Sequence, residues 1–108
     1  MNITLNNRTF LVRYPINSIR LLERQLGRSV VGIFKDIEKG DVSFDLMISL
    51  IWAGIVHNNH ALTVEAVSLW LEAVPNITEV FAGCAREFSE ACASRLGVSE
   101  KESEPEKN

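Results

Sequence analysis

Residues 44–56 carry Leu46, Met47, Ile48, Leu50, Ile51, Trp52, Ala53, Ile55 and Val56, with Ser49 and Gly54 as the breaks after Leu46. Ser43 is a good N-cap, so the segment predicts a helix from Phe44 to His57. On a 3.6-residue period its apolar side chains point in every direction. Such a helix is either the buried centre of a domain or has one side covered by another chain. The chain has only 108 residues. Enclosing one helix on all sides therefore takes most of what the rest can supply, and a partner surface over Met47, Ile51, Trp52 and Ile55 becomes the expectation.

The flanking sequence supplies the neighbours. Ile3–Leu5 and Thr9–Val12 surround Asn6-Asn7, and asparagine tolerates the positive φ of a two-residue hairpin turn. Pro15 forces an extended entry, after which Asn17 or Ser18 can cap a helix to Leu26, stopped by Gly27. Ser29 caps a second helix ended by Gly40, with Val30, Ile33, Phe34 and Ile37 on one face. Thr63 caps a fourth, with Val67, Trp70, Leu71 and Val74 inward and Pro75 as its end. Asn76 with Glu79 has the capping-box form and opens a fifth helix running to Leu96 and Gly97. The expected fold is mainly α: an N-terminal β-hairpin, then a compact bundle of about five short helices over residues 1–97. Residues 98–108 form an acidic tail with nothing to bury, expected to be disordered.

Composition narrows the chemistry. With 46% hydrophobic and 23% charged residues the chain is globular in character. The start has no secretory pattern, and eleven residues from Leu46 to Val56 are about half of the roughly 20 that span a bilayer. No membrane association and a cytoplasmic location are the expectation, and the sequons at Asn2 and Asn76 read as chance. His57 and His60 have no nearby cysteine or carboxylate to complete a zinc shell. Cys84 and Cys92 lie eight apart on one helix, about 12 Å, too far for a disulfide between them, and read as small core residues. Asp41 and Asp45 read as helix-end acids. No phosphate loop, dinucleotide fingerprint or nucleophile elbow occurs, so the expectation is no enzyme, no cofactor and no metal.

Charge is divided along the chain. The net charge is −3, with +4 on residues 1–40, −5 on 41–99 and −2 on 100–108. Either opposite faces of one domain attract each other, or the patches steer head-to-tail and partner contacts. Arg20, Arg24 and Arg28 recur every four residues as a basic stripe. The fourth and fifth helices are acidic, so the stripe reads as a solvated or protein-binding face rather than a nucleic-acid reader.

Two short stretches bear a family likeness. Leu22-Glu23 followed by Leu26-Gly27, and Ile51-Trp52-Ala53-Gly54, stand in the order hairpin, helix, short helix, apolar helix, then Leu62-Thr63 opening the next. This resembles the small tail assembly chaperones of long-tailed bacteriophages, in the branch shared with gene transfer agents and also labelled tail tube protein. The likeness covers about residues 3 to 97 and departs at His57-Asn58-Asn59-His60, where such proteins often carry a glycine-rich or basic link. It implies a helical, non-catalytic protein that binds the tape measure protein, the tail tube protein or both in the bacterial cytoplasm, with a second copy of the chain as a further partner. Met47, Ile51, Trp52, Ile55, Arg20, Arg24 and Arg28 are the candidate partner-binding residues. The alternative is a structural tail component, a tube or completion protein, although a tube ring needs more β-sheet than one hairpin.

Overall fold

A computed structural model describes residues 1–97; the expected tail, 98–108, lies outside the described residues. The order is β1 (Asn2–Leu5), β2 (Arg8–Leu11), α1 (Ile16–Leu26), α2 (Val30–Lys39), α3 (Phe44–Ile55), a 3-10 turn (Val56–Asn58), α4 (Val64–Leu71) and α5 (Ile77–Leu96). The strands pair antiparallel with Leu5 opposite Arg8, and Asn6 and Asn7 hold φ of 54° and 60° in the turn. That is the mirror-image turn whose twist matches a hairpin.

The helix ends follow local chemistry. Ser29, Ser43, Thr63 and Asn76 each accept a backbone N–H from the residue three positions on. Gly27, Gly40 and Gly97 close α1, α2 and α5 in the left-handed conformation. α1 departs from expectation at its start. Its N-cap is Pro15, with no side-chain cap, and Ser18 is a buried residue of the first turn. Pro15 is extended there, with φ of −65° and ψ of 165°, a geometry that its ring allows without strain and that needs no N–H from it. α3 also stops earlier than expected, at Ile55, and continues as the tight turn. α4 stops at Leu71, with Trp70 and Leu71 carbonyls still accepting from Ala73 and Val74 ahead of Pro75.

α3 is the centre of the molecule, flanked by α1, α4, α5 and the hairpin side. From Ser49 to Val56 every residue is buried. The chain after β2 crosses the C-terminal turns of α3 and satisfies the Gly54 carbonyl, one of those that a helix end leaves orphaned. The Arg13 N–H donates to the Gly54 carbonyl at 2.9 Å. The buried Tyr14 hydroxyl donates to the Leu50 carbonyl at 2.7 Å, and its ring meets Phe88 of α5 edge-on with centroids 5.4 Å apart. Gly54 makes this approach possible: a Cβ there would lie 2.7 Å from the Tyr14 oxygen and 3.0 Å from Val12 Cγ1. On the other side Phe10 stacks on Trp70 of α4 at 5.9 Å.

Two substitutions in α3 test this packing. Gly54→Ala forces Tyr14 off the helix and should cost about 1–3 kcal/mol, lowering Tm by roughly 4–8 °C per kcal/mol. Ser49 is fully buried and its hydroxyl has no hydrogen-bond partner among the described residues. Ser49→Ala should therefore leave Tm unchanged or raise it, because it removes an unsatisfied polar atom. A thermal melt in which Gly54→Ala is harmless contradicts the docking geometry.

Candidate functional site

The expected partner surface on α3 is closed. Ile51 and Ile55 have no exposed area, and Trp52 is 8% exposed. The Trp52 indole N–H donates to the Leu62 carbonyl at 2.9 Å, which fastens the loop before α4 to the centre of α3. Ile51, Trp52 and Ile55 are thus core residues and line no open groove; Met47 is half-buried at the edge of the same core. The reason is geometric. Four elements and the strand extension converge on α3, and the residue at the closest approach on one side is a glycine. Periodicity counts the apolar faces of a helix but cannot count the neighbours that tertiary structure brings to them.

The basic stripe divides in two. Arg28 leaves it: the guanidinium pairs with the Asp36 carboxylate of α2 at 2.6 Å. Arg20 and Arg24 remain exposed on α1, Arg20 bonded to Asn17 Oδ1 of its own helix at 3.0 Å.

The stretches that carry the family likeness have structural tasks. Leu22 is fully buried. The Glu23 carboxylate accepts the Val30 N–H at 2.7 Å and so joins Ser29 in capping α2 from the preceding helix. An anion at a helix N-terminus is favoured by its dipole. Gly27 takes φ of 64° and turns the chain between the two helices. Trp52 and Gly54 hold the loop and the strand extension. These residues specify the scaffold.

The polar connector is structural as well. The Leu11 carbonyl accepts from His57 Nε2 at 2.9 Å and from Asn58 Nδ2 at 3.1 Å, and Asn58 Nδ2 also reaches the Ile55 carbonyl. A carbonyl only accepts, so His57 donates through its Nε2–H in this contact. His60 stays exposed in the loop. No cluster of three metal-ligating side chains occurs among the described residues. Cys84 and Cys92 are buried free thiols, as their positions on α5 suggested. Burial pushes both up to about 11. Burial, then the neighbouring Cys84, raises Tyr14 well above the ordinary phenol range. None of the three is a nucleophile at neutral pH.

An open recess among the described residues was not legible in the sequence. A cleft of about 490 Å³ lies between Arg13–Pro15, His57 and the α5 residues Glu87, Glu90, Ala91 and Arg95. Its wall carries both signs of charge, suited to holding polar groups. Among the described residues that line it, no base is paired with an activated nucleophile: the Tyr14 hydroxyl is already committed to Leu50. Positions 13, 57 and 87–95 share no motif or period, so only the fold brings them together.

The most exposed of the large apolar side chains lie elsewhere: Leu69 on α4 (72% exposed), Phe44 at the start of α3 (68%) and Ile16 at the start of α1 (60%), with Leu96, Val31, Leu11 and Met1 exposed to a lesser degree. No protein family, characterised protein or solved structure matches the chain.

The thiols give a pH prediction. Both have a folded value of about 11 against 9.0 for an unperturbed thiol. Above pH 9 the unfolded chain releases protons that the folded chain keeps, so unfolding becomes easier as pH rises. The urea midpoint should hold steady below about pH 9 and fall between about 9 and 11. In Cys84→Ala/Cys92→Ala the fall should be shallower. A midpoint that rises over that window contradicts the buried-thiol assignment.

Proposed function

We propose that the chain is a phage or prophage tail assembly chaperone, a non-catalytic protein that binds the tape measure protein and supports tail tube assembly in the bacterial cytoplasm. The observation that carries this reading is the placement of Leu69, Phe44 and Ile16, large apolar side chains left in solvent by a fold whose core is otherwise filled. A protein that keeps a long amphipathic helix from aggregating needs apolar residues outside its own core, set among charges that keep it dispersed. The likeness of Leu22-Glu23, Leu26-Gly27 and Ile51-Trp52-Ala53-Gly54 to that family supports the reading through the scaffold they build. The mode of binding differs from the one expected of the sequence: contacts fall on surface residues of helix ends and outer faces, and Trp52 and Ile55 act only by holding the fold. The alternative, a structural tail component, draws less support, since β1 and β2 are four residues each and pair only with one another.

Co-expression with the tape measure protein of the same phage tests the proposal. The tape measure protein should stay in solution as a complex with this chain and precipitate without it. Phe44→Ser should weaken the complex by about tenfold with the Tm intact, as expected of an exposed anchor. A tape measure protein equally insoluble with and without the chain overturns the reading.

A further inference from the structure

The cleft beside Tyr14 has one face of α5 as its long wall. Glu87, Glu90, Ala91 and Arg95 line it, and Arg13 and His57 complete it from other elements. From Glu87 to Arg95 the wall is about 12 Å long at 1.5 Å per residue. Its charges are not matched among themselves. Among the described residues the ion pairs are Arg28–Asp36, Lys39–Asp36 and the Met1 amino group with Glu87. The amine neutralises Glu87, while Arg13, Arg95 and Glu90 have no ion-pair partner among the described residues. Two exposed guanidinium groups thus share the cleft with one unmatched carboxylate, an excess of positive charge.

The chain leaves α5 at the end of this cleft. Gly97 closes the helix just past Arg95 with φ of 73°, the left-handed conformation that takes the backbone off the helix axis. The sequence that follows, 98–108, carries Glu100, Glu102, Glu104 and Glu106 with Lys101 and Lys107, a net charge of −2. The glutamates recur at every second position. Extended backbone sends alternate residues to opposite edges, so this spacing suits one acidic edge with the two lysines on the other. Pro105 disfavours the helical region for Glu104. At about 3.3 Å per residue, residues 98–102 reach about 16 Å when extended, enough for the roughly 12 Å of wall between Arg95 and Glu87.

We propose that residues 98–108 of the same chain are the occupant of this cleft, running back from Gly97 along the α5 wall. Away from Gly97 the wall reads positive at Arg95 and then negative at Glu90, and the segment reads negative at Glu100 and then positive at Lys101. Glu100 meets Arg95, Lys101 meets Glu90 from the opposite edge, and Glu102 meets Arg13. Beyond Val98 the segment has nothing apolar to bury, so charge holds it and salt releases it. Exposed ion pairs contribute little each, which keeps the contact reversible. The segment is then a built-in competitor: an acidic peptide of another protein reaches Arg13 and Arg95 only by displacing it.

Paramagnetic relaxation in the full chain tests this. Ser103→Cys supplies one accessible thiol for a nitroxide, because Cys84 and Cys92 are buried and stay protonated at neutral pH. At about 0.01 M salt, where the screening length is roughly 30 Å, the amides of Arg13, His57 and Glu87 should lose intensity. These three are decisive, since a label tethered a few residues past Arg95 reaches the end of α5 wherever the segment lies. At about 1 M salt, with a screening length near 3 Å, their intensity should return. Arg13→Glu/Arg95→Glu should also restore it, and adding Glu100→Lys/Glu102→Lys to that same chain should bring the loss back, because both sides are then reversed together. Both arginines are exposed, and unchanged helical circular dichroism checks that each variant folds. Full intensity at Arg13, His57 and Glu87 in the low-salt labelled chain overturns the proposal, as does a loss that salt or the arginine reversal leaves in place. Isotope-labelled chains without nitroxide are also mixed with nitroxide-bearing chains of natural isotope content. An equal loss in that mixture places the segment on a neighbouring copy and overturns occupancy by the same chain. The readout uses no tape measure protein, so its failure leaves the tail-assembly reading standing.

Discussion

The Tyr14 hydroxyl lies on the Leu50 carbonyl because residue 54 has no side chain, and the arrangement of the molecule depends on that contact. It holds the strand extension against the last turns of α3, where the Arg13 N–H reaches the Gly54 carbonyl and His57 and Asn58 reach back to Leu11. A two-stranded hairpin is barely stable by itself and must lie on something. Here it lies on a helix end whose free carbonyls need donors, so the hairpin and the helix complete one another. The Tyr14 ring then reaches Phe88, which ties α5 to the same point.

With that contact in place, α3 is enclosed. The surplus apolar surface implied by residues 44–56 is taken up inside the molecule, and what remains for partners is a scatter of large side chains on outer faces. This changes what the motif residues do. Glu23 caps a neighbouring helix, Gly27 turns the chain, Trp52 pins a loop and Gly54 admits Tyr14. Residues with such duties hold a scaffold while the surface is free to change with the partner.

Much of the fold was readable from local chemistry. The Asn6-Asn7 turn, the caps at Ser29, Ser43, Thr63 and Asn76, and the glycine stops at 27, 40 and 97 each depend on one or two residues and their own backbone. The misread features depend on residues distant in sequence. Arg28 sits in phase with Arg20 and Arg24, yet the turn at Gly27 swings it toward Asp36. Trp52 and Ile55 read as a partner face because nothing in their own helix reveals that Leu62, Val12 and Tyr14 close over it. The cleft walled by Arg13, His57 and Glu90 has no sequence signature at all. The division of charge was legible as a number; that the fold leaves the two signs largely unpaired was not.

α3 is a sealed mast, and under the proposed function the tape measure protein meets the molecule at its outer helices. Amide hydrogen exchange, with and without the tape measure protein, tests it most directly. Amides from Leu50 to Val56 should exchange slowest of all, only through global unfolding, and at a rate the partner leaves unchanged relative to overall stability, while added protection appears on outer elements such as α1, α4 and the first turn of α3. Fast local exchange within 50–56 in the free protein, suppressed selectively on binding, would show that α3 opens to receive its partner and would contradict the account.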